Sequence, residues 1–85
     1  MSIEILKFYT PTCAPCRMVT KLLEKLIETK KDIIVTPIDA TEDIEKVDEY
    51  NVCSTPTLIF LKDGTEYKRT LGMLTLKELE EIVDL

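Results

Sequence analysis

The segment from Ile3 to Tyr9 constrains this chain more than any other, because it is apolar on both of its alternating sets. Successive strand side chains point to opposite faces, so Ile3, Ile5 and Tyr9 share one face and Leu6 and Phe8 the other. β-Branched and aromatic residues favour an extended backbone, and Thr10-Pro11 breaks the run. A strand that is apolar on both faces needs cover on both. The chain is therefore expected to build layers above and below a central strand.

The remaining pattern supplies those layers. From about Ala14 to Lys30, Val19, Leu22, Leu23, Leu26 and Ile27 recur at the spacing of an amphipathic helix. Ile33 to Ile38 reads as a second strand, and Pro37 within it cannot donate to a ladder, which predicts a sheet edge. Thr41-Glu42-Asp43 predicts a helix start, with a capping hydroxyl and acids in the first turn, continuing through Tyr50. Thr57 to Leu61 and Glu66 to Leu71 form a predicted hairpin around Asp63-Gly64. Thr75-Leu76-Lys77-Glu78 carries a capping box, and the helix it starts should turn Leu76, Leu79, Ile82 and Val83 to the core. The element order is β-α-β-α-β-β-α. A right-handed crossover makes the first two strands parallel, and the hairpin adds antiparallel ones. The expected fold is α/β: a four-stranded mixed sheet in the order second, first, third, fourth, with helices on both faces.

At 85 residues the chain is expected to form one domain with a small core. Apolar residues at 45% and charged residues at 32% fit a globular protein. A formal charge of −5 argues against nucleic-acid binding, which needs a basic face. The opening Met-Ser-Ile-Glu-Ile lacks the basic start of a signal peptide, and no apolar run approaches the roughly 18 residues of a membrane span. A cytoplasmic monomer without membrane attachment is the expectation. Three cysteines are an odd number and too few for a secreted disulfide framework.

Two of those cysteines are close together. Cys13-Ala14-Pro15-Cys16 follows the first strand and opens the first helix. A helix N-terminus carries unpaired N–H groups and about half a positive charge, which favours a thiolate over a thiol. The thiolate is the nucleophile, so this placement raises the reactive fraction. Two intervening residues put the sulfurs within disulfide reach, and Pro15 lies in the first turn, where its missing N–H does no damage. A C-x-x-C in this position points to redox chemistry. It is also half of a zinc site, which wants four ligands. The chain has no His, so Cys53 and a carboxylate or a second chain would have to complete the shell.

The sequence resembles the thioredoxin family in a short form that lacks the first strand and helix. Four features carry the resemblance over nearly the whole chain: Phe8-Tyr9-Thr10-Pro11-Thr12 before Cys13-Ala14-Pro15-Cys16, Asp39 ending the second strand, Thr55-Pro56-Thr57, and Gly64 with Gly72 around the last strand. The resemblance implies a minimal thioredoxin fold and a protein-disulfide reductase. Cys13 would be the nucleophile, Cys16 the resolving thiol, and the two would form the redox-active disulfide. Pro56 would be cis and packed against the pair, and Thr55 would offer its backbone to a bound substrate strand. Partners would be disulfide-containing client proteins and a thioredoxin reductase that supplies electrons from NADPH, with no cofactor bound to the chain itself. A glutathione-linked, glutaredoxin-like reductase is the alternative, although Leu71-Gly72-Met73-Leu74 lacks that group's Gly-Gly pair. A metal or iron–sulfur carrier using the cysteines is a third reading.

The departures from the family pattern are informative. Thr12 stands where a Trp usually precedes the first cysteine, leaving a smaller and more polar rim. Lys7 replaces a buried acid, and Val35 aligns with that acid's usual lysine partner. Lys7 either snorkels to water or lies partly desolvated near the pair. In the second case a charged Lys7 stabilises the Cys16 thiolate, or a neutral one accepts its proton. Cys53, three residues before Pro56, is either a small loop residue without redox duty or an accessory thiol.

Overall fold

The computed structural model describes residues 2–85; Met1, which begins the opening segment read above, lies outside them. Seven elements follow one another: β1 (Ile3–Tyr9), α1 (Ala14–Thr29), β2 (Ile33–Asp39), α2 (Ile44–Glu49), β3 (Thr57–Lys62), β4 (Thr65–Leu71) and α3 (Leu76–Val83). They form one four-stranded sheet in the order β2-β1-β3-β4. β1 runs parallel to β2 and antiparallel to β3, and β3 and β4 are antiparallel. Order and directions are those predicted.

The two faces of β1 are both covered, and by different helices. Ile3 and Ile5, with Leu58 and Phe60 of β3, pack against Val19, Leu23 and Leu26 of α1 and Leu79, Ile82 and Val83 of α3. Leu6 and Phe8, with Ile38, Ile59 and Leu61, form a second cluster under Val47, Tyr50 and Val52. β3 is buried from Thr57 through Leu61, as a strand between two others and covered on both faces must be. Pro37 lies in β2 at the sheet edge, in register with Lys7.

The hairpin turn uses two residues in the left-handed region, Asp63 at φ 51° and Gly64 at φ 80°. That backbone has the twist a two-residue hairpin loop requires, and glycine reaches it at no steric cost. α3 starts at the predicted capping box: the Glu78 amide donates to Thr75 Oγ1 at 3.1 Å and the Thr75 amide to Glu78 Oε1 at 2.9 Å.

Two expectations are corrected. α2 is capped by the Asp43 carboxylate, which accepts from the Lys46 amide at 3.2 Å, and not by the Thr41 hydroxyl. The reason is competition: Asp39 takes both the amide and the hydroxyl of Thr41, at 2.9 and 2.6 Å, in a turn that precedes the helix. Ile27, read as part of the buried stripe, is 37% exposed. The stripe is narrower there because Ile27 lies over the sheet edge, in a groove lined also by Val35 and Pro37 of β2.

Candidate active site

β1 ends at Tyr9 and α1 begins at Ala14, so the intervening residues must turn sharply. The Cys13 amide closes that turn on the Thr10 carbonyl at 3.3 Å. Cys13 is the N-cap of α1: its backbone is extended, and its Sγ accepts the Cys16 amide at 3.2 Å. One of the helix's orphan donors is thus satisfied by sulfur, the arrangement that favours negative charge there. The Cα atoms of Cys13 and Cys16 are 5.2 Å apart and the sulfurs are joined in a disulfide. The two cysteines differ in access. Cys13 is part-exposed, whereas Cys16 is 3% exposed on the core side of α1. Thr12 stands exposed beside them.

The sheet brings a second segment to the same end. Phe8 pairs with Thr57, and Thr57 with Leu71, which places the residues just before β3 and just after β4 beside the end of β1. The Thr55–Pro56 peptide is cis. The Pro56 carbonyl accepts the Gly72 amide at 2.9 Å, and the Thr57 hydroxyl donates to the Ser54 carbonyl at 2.6 Å, so the loop is fastened at both ends. Gly72 has φ +77°, a conformation that a side chain would strain. Pro56 is buried, and the half-buried Thr55 lines a groove of about 270 Å³ with Thr10, Cys53 and Ser54. Cys13, Cys16, Thr12, Thr55 and Pro56 therefore share one end of the sheet.

The family model described as Thioredoxin matches residues 2–85. The chain belongs to the thioredoxin family. It is 34% identical over 83 residues to the thioredoxin of Bacillus subtilis, covering 96% of this chain and 80% of that protein. Against the thioredoxin of Chlamydia pneumoniae the identity is 36% over 82 residues, again covering 96% and 80%. Among solved structures, a mutant thioredoxin from Halobacterium salinarum superposes with a TM-score of 0.90 at 28% identity, covering 98% of this chain and 73% of that one. The Fasciola hepatica thioredoxin gives a TM-score of 0.87 at 26% identity, with 98% and 79% covered. With its C-x-x-C pair in place, this thioredoxin-family chain is a thiol–disulfide oxidoreductase acting on protein disulfides.

Other residues singled out above take defined places around the pair. Asp39 serves the turn before α2, and its bonds from Thr41 hold its carboxyl below the usual range. Lys7 lies on the α1 face of β1, where its ammonium donates to Thr20 Oγ1 at 2.9 Å. Thr20 was not singled out from the sequence. It is one helical turn after Cys16, and its hydroxyl donates to the Cys16 carbonyl at 3.0 Å. The available signal was its i+4 spacing from Cys16, but a threonine in an otherwise regular helix is ordinary.

Cys53 is exposed, and its thiol makes a long contact of 3.8 Å to the Asn51 carbonyl. Among the described residues no group of three or more Cys, Asp or Glu side chains is placed to hold a metal. Cys53 thus borders the groove without joining the pair. Cys53→Ser is expected to keep disulfide-reductase turnover within about twofold of native, a change at the level of assay scatter. A loss as deep as that of Cys16→Ser would make Cys53 a second resolver.

Proposed function

We propose that this protein works as a thioredoxin-type reductant in which Cys13 attacks and Cys16 resolves. The observation that carries the assignment is the unequal access of the two sulfurs: the part-exposed Cys13 caps α1, and Cys16 is 3% exposed behind it. A client disulfide can meet Cys13 only. The Cys13 thiolate displaces one client sulfur and forms a mixed disulfide; Cys16 then attacks Cys13, releasing the reduced client and closing the internal disulfide. The client strand lies along the backbone of Thr55, next to Pro56 and Thr12, in the manner of strand addition. Electrons return from NADPH through a thioredoxin reductase, and the protein acts as a monomer in the cytoplasm. No helix among the described residues is long and apolar enough to cross a membrane.

The test pairs two recycling systems. Oxidised protein is given insulin as client, with either NADPH and a thioredoxin reductase or NADPH, glutathione and glutathione reductase. NADPH consumption is expected with the first system, together with a reduction potential near about −270 mV for the pair. Faster recycling by glutathione would support the glutaredoxin-like alternative, and a potential near about −120 mV would make the protein an oxidant.

A further inference from the structure

Resolution asks more of Cys16 than attack asks of Cys13. Cys16 must become a thiolate while 3% exposed, and burial away from water disfavours the charged form. The Cys16 amide in the first turn of α1 points to Cys13 Sγ and so serves Cys13. A charge that favours the Cys16 thiolate can also come from the sheet side of the helix. Lys7 stands on that side.

Two hydrogen bonds join Lys7 to the turn that carries Cys16. Lys7 Nζ and Thr20 Oγ1 are 2.9 Å apart, and Thr20 Oγ1 and the Cys16 carbonyl 3.0 Å. Their direction follows from chemistry. A carbonyl only accepts and a hydroxyl has one proton, so Thr20 donates to Cys16 and must accept from Lys7. No proton can pass through Thr20 towards Lys7, which removes the base role for Lys7 by this route. Burial lowers the lysine's pKa, and its neighbours offset part of that shift. The Tyr9 ring centroid is 5.4 Å from Nζ, and Glu24 of α1 opposes the downward shift that burial imposes on the lysine. The β2 residues lining this groove, Val35 and Pro37, carry no titratable group.

We propose that Lys7, anchored on Thr20, is a positioning residue for resolution: it holds the Cys16 turn of α1 and brings its ammonium to the turn that carries the resolving thiol. The proposal rests on the assignment of Cys16 as resolver. In the step concerned, the Cys16 thiol first loses its proton to solvent. Its electron pair then forms the Cys13–Cys16 bond as the mixed disulfide breaks, and the departing sulfur leaves as a thiolate. Over both steps the dithiol gives up two electrons and the substrate disulfide gains them.

The probe is the symmetric aromatic disulfide of thionitrobenzoate, whose released thiolate is coloured. The exposed Cys53 thiol would release an equivalent of its own, so the parent and every variant carry Cys53→Ser. Attack by Cys13 then liberates the first equivalent and resolution by Cys16 the second, and the phases are read separately. Lys7→Met is expected to slow the second phase about tenfold near neutral pH and to move its pH midpoint up by about one unit, the first phase changing far less. Lys7→Arg, which keeps charge and donors, is expected to restore most of the rate. Thr20→Val is expected to slow the second phase about threefold to tenfold by removing the anchor. Superimposable second-phase profiles across pH for the Cys53→Ser parent, Lys7→Met and Thr20→Val overturn the proposal, as does a loss in Lys7→Arg equal to that in Lys7→Met. If Lys7→Met does not melt cooperatively, Lys7→Arg and Thr20→Val decide by the same criteria. Release of a single equivalent by the Cys53→Ser parent would instead sink the two-cysteine reading, and the proposal with it.

Discussion

Cys16→Ser is expected to turn this protein into a covalent trap. Cys13 remains at the cap of α1, part-exposed and supported by the helix N-terminus, so attack on a client disulfide proceeds. The hydroxyl at position 16 is not a nucleophile towards sulfur, so the mixed disulfide persists. Turnover with a protein disulfide should fall about a hundredfold or more, as expected when two residues act as one unit. Non-reducing electrophoresis should show client-linked species that a thiol reductant releases. Cys13→Ser should lose turnover to a similar depth and form no such species. Native turnover by Cys16→Ser, or trapping that survives in Cys13→Ser, would reverse the assignment.

The second large effect is on stability. Phe60 is completely buried in the centre of β3, packed in the cluster shared by α1 and α3, with its ring 6.3 Å from that of Tyr67. Removing such a ring costs the lost transfer energy and leaves a cavity, about 3–5 kcal/mol for Phe→Ala. Domains of this size are stable by only about 5–15 kcal/mol in all. Phe60→Ala should therefore lose a large share of its folding free energy, read as a much lower urea midpoint. Ile27→Ala, at a site 37% exposed, should cost less than about 1 kcal/mol. Similar midpoints for the two variants would mean that the core is not organised around β3.

These expectations draw on different parts of the molecule, and the parts were not equally legible beforehand. The double-sided pattern of Ile3 to Tyr9, the stripe of α1, the Asp63-Gly64 turn and the Thr75–Glu78 capping box are local signals. Each acts through neighbours a few residues away, so each survives translation from sequence to structure. The edge position of β2 could also be inferred, because Pro37 lacks a donor whatever surrounds it. The placement of Cys13 at a helix N-terminus followed from the same local logic, since one strand ends and one helix begins within a few residues.

Other features arise only when distant segments meet. Thr41 and Asp43 are both good caps in isolation, and the choice went to Asp43 because Asp39, held at the end of β2, had already engaged Thr41. Ile27 fits the helical stripe by spacing, yet the sheet ends beneath it. The link from Lys7 through Thr20 to Cys16 spans 13 residues between lysine and threonine, a pairing that no periodicity in the chain announces. The sequence by itself determined which residues form the strands, helices and caps and put the cysteines at the start of α1. Only the tertiary structure decided that Cys16 is buried while Cys13 is reached from outside, and that Lys7 faces the turn carrying Cys16. Burial and partnership are properties of the packed sheet and helices, and one element alone cannot express them.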